Sequence, residues 1–321
     1  MPVMLSCISH TPVMRKLGPA ADIATDVTRA IDTAHDALVA FDPDLIVLFA
    51  PDHLNSFFYN LMPPFCIGAL ATSLGDYGTL SGPLSVPTGL AVECAAAVLQ
   101  AGIDLAVSHK MTVDHGFSQP LELLTGGIDR YPVIPLFINS IAKPMPTLRR
   151  AYQFGLAVGA YFATSHAGKK IAIIGSGGLS HDPPIPTLET GSPETRAALI
   201  EGVSRTPAQQ LEQEARVLGA AKAFTAASAE LGGGKLLPLN PQWDTRIIEL
   251  LASGDFSTLT AMTDESVVSQ GGCGAHEIRT WIAAFACLSA FGSYAAQTAF
   301  YRPIPEWIAG FALVNAAPTR G

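Results

Sequence analysis

Five short aliphatic runs, at residues 3–8, 45–50, 105–108, 133–138 and 171–174, recur along the chain with long helical stretches between them. This alternation constrains the fold more than any other feature. Short runs rich in Val, Ile and Leu, without polar alternation, read as strands covered on both faces. Residues 21–41 carry Ile23, Val27, Ala30, Ala34 and Leu38 at helical spacing, which gives one apolar face. Further helices are expected over 88–101, 146–165, 207–231, 242–251 and 276–291. Strands alternating with helices imply a layered α/β domain. No internal repeat or low-complexity tract interrupts it. Gly232–Gly234 reads as a flexible turn that could serve as a linker, but the segment after it is apolar and helical. The expectation is therefore one domain over 1–321, with a helical C-terminal part packed back on the sheet. Residues 61–87, rich in Pro, Gly and Ser, read as an ordered excursion near the site or at an interface.

Composition removes several classes of function. Of 321 residues, 49% are apolar and only 14% charged, which argues against disorder and for extensive burial. That apolar content leads us to expect a homo-oligomer. A net charge of −8 without a basic cluster argues against nucleic acid as a partner. Cys7, Cys66, Cys94, Cys273 and Cys287 are scattered, with no CxxC pair. This disfavours a disulfide framework or a structural zinc site and fits a reducing cytoplasm. The N-terminal MPVMLSCISHTPVMRK lacks the pattern of a signal peptide, and no apolar run is long enough to cross a membrane.

Residues 171–184 read IAIIGSGGLSHDPP. An apolar strand ends in Gly175, Gly177 and Gly178, which permit unusual backbone angles or close approaches. His181 follows, and Pro183 and Pro184 fix the chain beyond it. Three other histidines fall in comparable places: His10 in SCISHTP, His53 in LFAPDHLN and His115 in MTVDHGFSQP. Any one of them could be a turn or capping residue. Four of eight histidines just beyond expected strands point to a shared crevice, because open α/β sheets gather ligands at the carboxyl ends of their strands. His35, His109 and His166 lack such settings and read as surface or structural.

Two histidines and one carboxylate on one face form a metal site with open positions, the arrangement non-haem iron(II) uses with oxygen. Glu277, in GGCGAHEIRTWIAAF, opens an apolar helix after a glycine-rich turn and is the candidate carboxylate. Complementing the helix dipole would equally explain an acid there. His276 points about a third of a turn away from it on a helix, so the two are not expected to share one ion. Asp52 beside His53 and Asp114 beside His115 could orient those rings, or be turn residues. Arg279 and Arg302 are the candidate cations for an anionic substrate tail, or are solvated.

The stretches SHTP (9–12), VLFAPDHLNSFFYNLMPPFCIG (47–68), VDHGFSQPLELL (113–124), GSGGLSHDPP (175–184), LNPQWD (239–244), AHEIRTWIAAFA (275–286) and YRPIPEWIAGF (301–311) together resemble the class III extradiol dioxygenases, the LigB-like superfamily. They span nearly the whole chain in order. The resemblance implies a three-layer α/β/α fold with a mixed central sheet. It implies an iron(II) site held by His10, His53 and Glu277, with His115 and His181 as acid and base. The implied reaction is extradiol cleavage by O2 of a substituted catechol, 3-(2,3-dihydroxyphenyl)propionate or 2,3-dihydroxycinnamate. Two alternatives remain at this point: a zinc hydrolase on the same fold, and a non-enzymatic LigB-like interaction protein.

Overall fold

The computed structural model describes residues 2–166, 168–183, 185–202, 206–229 and 239–319. The chain begins with strand β1 (Val3–Ser9), helix α1 (Ala21–Phe41), β2 (Leu45–Ala50), β3 (Phe65–Gly68), β4 (Ala71–Leu74) and β5 (Ser81–Pro83). It continues through α2 (Thr88–Gln100), β6 (Ala106–Ser108), β7 (Met111–Val113), α3 (His115–Thr125), β8 (Val133–Ile138), α4 (Leu148–Ser165) and β9 (Ile171–Gly177). Helices α5 (Pro193–Glu201), α6 (Pro207–Ala229), α7 (Pro241–Ser253), α8 (Phe256–Ala261), α9 (Asp264–Gly271) and α10 (Ile278–Ser289) follow, and β10 (Tyr294–Ile304) and β11 (Ala309–Pro318) end the described chain.

Eight strands form one sheet in the order β10-β11-β1-β9-β2-β8-β3-β6. The central pairs β1–β9, β9–β2 and β2–β8 are parallel, whereas β11–β1 and β8–β3 are antiparallel. The sheet is mixed, as expected. Its central strands β1, β9, β2 and β8 are buried on both sides because successive side chains feed opposite layers. Leu5, Val47, Phe49 and Ile173 join one apolar cluster with Trp281, Ile282 and Phe285 of α10 and Phe154 and Val158 of α4. Ile46, Leu48 and Ile174 join the other, with Val27 and Leu38 of α1 and Phe117 and Leu121 of α3. Helix α10 packs closely on α4. A Cβ on Gly155 would lie 2.0 Å from the Ala283 carbonyl oxygen, so only glycine allows the two backbones this approach.

The C-terminal part differs from the sequence expectation. Helices run from α7 to α10, but the chain then returns as the hairpin β10–β11 and lengthens the sheet beyond β1. Strand β10, YAAQTAFYRPI, is largely exposed and lies at the sheet edge. It lacks the continuous aliphatic run that marks a covered strand, so its pairing is a tertiary outcome. The excursion over 61–87 contains β3, β4 and β5. Strand β4 pairs with β5 and β7 in a separate three-stranded sheet. The Gly232–Gly234 turn and the end of the helix expected to reach 231 lie outside the described residues.

Candidate active site

Strands β1, β9 and β2 are parallel neighbours, so their carboxyl ends lie side by side. His10, His181 and His53 leave those three ends. His115 arrives differently. The strand before it is β7 of the small sheet, and His115 begins α3, whose N-terminus is capped by Asp114 accepting from the Gly116 N–H at 2.9 Å. All four rings, together with Glu277, line one cavity of about 510 Å³.

One pattern governs the rings: each Nδ1 is committed. His10 Nδ1 lies 3.0 Å from Ser176 Oγ, whose own proton goes to the Gly116 carbonyl. The hydroxyl must therefore accept from His10. His53 Nδ1 donates to Asp114 at 3.0 Å, His115 Nδ1 to Asp76 at 2.6 Å, and His181 Nδ1 to the Leu179 carbonyl at 2.9 Å. These partners assign the tautomers and leave each Nε2 lone pair available. The His53 and His10 Nε2 atoms lie 3.3 Å apart. Glu277 Oε1 is 3.2 Å from His53 Nε2, and Oε2 is 3.8 Å from His10 Nε2. In a buried site two such lone pairs beside a carboxylate repel one another, and a single proton on His53 Nε2 can satisfy only one of its two neighbours. A cation among them removes that conflict. The donor set therefore fits a divalent metal ion, with each ring oriented from behind as metal-binding histidines are.

The electrostatics agree with the geometry. Burial holds the His10 pKa down at about 3, against the opposing pull of Glu277, so His10 is neutral and able to donate its lone pair. Burial would also depress His53, but the Asp114 and Glu277 carboxylates outweigh it and hold its pKa well above the ordinary value. Those same two anions would attract a metal ion. Burial alone would raise Glu277, yet His10 and His181 keep it well below the usual carboxylate range. His115 Nε2 is buried with no hydrogen-bond partner. The His115 ring stacks on His53 with centroids 4.4 Å apart. Donor nitrogens of His10, His53 and His115 all lie within 4.8 Å of one another, but that trio lacks the negative charge Glu277 supplies.

His181 is held by backbone on both sides. A Cβ on Gly178 would lie 2.5 Å from its Cε1, and one on Gly274 would lie 2.2 Å from its Nε2. Close approach, rather than unusual backbone angles, is what Gly175, Gly177 and Gly178 provide, since none has positive φ. The His181 N–H donates to the Gly271 carbonyl at 2.8 Å, and Nε2 lies 3.7 Å from Glu277 Oε1. Pro183 lines the cavity, whereas Pro184 lies outside the described residues. Backbone strain also gathers here. Of four non-glycine residues with positive φ among those described, Leu54 (58°), Tyr77 (50°) and Ile308 (56°) line the cavity, and such angles cost a β-branched residue most.

Several sequence-stated partners are reassigned. Asp114 orients His53, not its neighbour His115. Asp76, 39 residues away and without a local sequence signal, holds His115. Asp52 does not contact the His53 ring; its carboxylate collects the Asn55, Ser56 and Phe57 N–H groups in a turn. Burial and the nearby Asp114 raise the Asp52 pKa to about 7. Arg279 is fully buried and faces away from the cavity. Its donors go to the Pro146 carbonyl, His276 and Asp264. Arg302 is exposed and donates to the carbonyl of Tyr301. Neither arginine lines the cavity. His276 is thus part of the Arg279 network. His166 bonds Tyr161, and His109 is exposed.

Residues 4–312 match the family described as the catalytic LigB subunit of aromatic ring-opening dioxygenase. A "2,3-dihydroxyphenylpropionate/2,3-dihydroxicinnamic acid 1,2-dioxygenase" from Cupriavidus pinatubonensis is 50% identical over 318 residues, covering 99% of each chain. Proteins of the same name from Mycolicibacterium gilvum and Klebsiella pneumoniae are each 47% identical, covering 98% of their own lengths. With these matches spanning nearly its whole length, and with the histidine–carboxylate cluster at its sheet ends, the chain belongs to the LigB family of aromatic ring-opening dioxygenases.

Proposed function

We propose that the chain is an iron(II)-dependent extradiol dioxygenase acting on 3-(2,3-dihydroxyphenyl)propionate, 2,3-dihydroxycinnamate or both. One domain over 1–321 carries the reaction, which opens the ring beside the diol and places both atoms of O2 in the product. The observation that carries this reading is the convergence of four Nε2 lone pairs and one buried carboxylate on a single cavity. Its volume of about 510 Å³ suits a small aromatic acid. The full-length likeness to relatives bearing the dihydroxyphenylpropionate name supports the substrate.

In this reading His10, His53 and Glu277 hold the metal. A ferrous ion there supplies Lewis acidity toward the catechol oxygens and the redox chemistry that O2 requires. The remaining residues handle protons and access. His115 takes a phenolic proton at its free Nε2, and Asp76 behind Nδ1 stabilises the imidazolium that results. His181, on the other side of Glu277, carries a proton at Nε2 and gives it back as the ring opens. Burial lowers its pKa, but Glu277 prevails and raises it overall, which suits a donor. Leu54, Phe58, Ile141 and Trp307 give the cavity apolar walls, which limit water around the reacting ring.

Anaerobic loading with ferrous ion, followed by the catechol acid and air, tests the reading. The expected result is stoichiometric O2 uptake with a yellow ring-opened product. No uptake by iron-loaded protein, or turnover restored only by zinc, would overturn it. We also propose a homo-oligomer in the cytoplasm. The exposed Leu70, Leu74, Leu80 and Leu99 support self-association, and five unpaired cysteines support a reducing compartment. Among the described residues, no helix is long and apolar enough to cross a membrane. A monomer by light scattering would remove the oligomer.

A further inference from the structure

We infer that Arg216, with Gln213 beside it, binds the side-chain carboxylate of the catechol and sets the enzyme's preference for acid-bearing catechols. The inference rests on the function proposed above and adds to it a specificity residue. Besides the histidines, the cavity is lined by residues of α5 and α6. Helix α6 presents Gln213, Arg216, Val217 and Ala220 to the cavity, a spacing that puts them on one helical face. Among the described residues, Arg216 is the one Lys or Arg side chain lining it. It makes no hydrogen bond or ion pair among the described residues.

The position of α6 is fixed independently. Glu214 accepts from the Tyr77 N–H at 2.9 Å, Thr225 Oγ1 donates to the Pro305 carbonyl at 3.0 Å, and Ala221 and Phe224 are buried. The helix thus holds an exposed guanidinium, without a partner among the described residues, at the same cavity that Glu277 lines.

The charge balance makes this cation necessary. The chain carries a net charge of −8, and the catechol end of the cavity contains the Glu277 carboxylate. A second carboxylate drawn into an apolar-walled cavity loses hydration and requires a partner. A guanidinium fork meets a carboxylate with two parallel N–H donors, and the Gln213 amide can add a third. The two arginines that the sequence offered for this task are occupied or remote, as their contacts above show.

The test compares 3-(2,3-dihydroxyphenyl)propionate with the neutral 3-propylcatechol on iron-loaded wild-type, Arg216→Met and Arg216→Lys proteins. The readouts are the ratio of the two kcat/KM values and anaerobic equilibrium binding of each catechol. Wild type should prefer the acid. Arg216→Met should lower that preference by about 10- to 100-fold, the worth of a charge-assisted hydrogen bond, through KM and binding more than kcat. Arg216→Lys should fall between them. An unchanged ratio in Arg216→Met, or no acid preference in wild type, would overturn the assignment while leaving the dioxygenase reading intact. Wild type that cleaves neither catechol would overturn both.

Discussion

The floor of the cavity and its cover are built on opposite principles. The floor consists of residues leaving adjacent parallel strands and helix starts, and it is largely buried and braced from behind: His10, His115 and Glu277 are at most 6% exposed. Every histidine Nδ1 there has an assigned acceptor. The cover, α5 and α6, is amphipathic at best, with Ile200 and Leu211 left exposed and Arg216 without a partner among the described residues. A braced floor keeps reacting atoms in place, as catalysis by positioning requires. A cover held by its own separate contacts can change what enters without disturbing the chemistry. The difference teaches that reaction type and substrate choice are held by separate parts of this molecule.

Four substitutions test that division, in falling order of effect. Glu277→Ala should abolish turnover and release the ion, because it leaves two neutral imidazoles without the anion that balances the charge. Metal analysis after gel filtration measures this, and full occupancy would remove Glu277 from the ligand set. His115→Gln should keep the metal but slow ring opening by about 10²- to 10⁴-fold, the usual worth of a positioned acid or base. Asp76→Asn should give a weaker version of the same defect, about 10- to 100-fold in kcat, again with the ion retained. Loss of metal in either would place His115 among the ligands instead. Val217→Ala, on the cover, should raise KM only a few-fold, consistent with losing about 1 kcal/mol of apolar contact. A hundredfold fall in kcat from that change would break the separation of floor from cover.

The sequence made the floor legible where the signals are local. Aliphatic runs marked β1, β2 and β9, and the turn chemistry after each exposed His10, His53 and His181. A glycine-rich approach to an apolar helix marked Glu277. The partners behind the rings were not legible, because they come from remote segments. Asp76 is 39 residues from His115, Asp114 is 61 from His53, and Ser176 is 166 from His10. Adjacency proved a poor guide: Asp52 and Asp114 sit next to the histidines they do not orient, since neighbouring residues in a turn point in different directions. Arg279 shows the same limit on a helix, half a turn from Glu277 yet turned into a buried network with Asp264.

By itself, then, the chain's pattern of strands, glycines and histidines determined the layered α/β architecture and pointed to the residues proposed to hold a metal. Those depend on periodicity and backbone stereochemistry, which act over a few residues. Which carboxylate braces which ring, where the last two strands pair and which arginine reaches the cavity were decided only when distant segments packed together. Those contacts depend on burial and on satisfying polar groups across the whole fold, and no short stretch of sequence contains both members of such a pair.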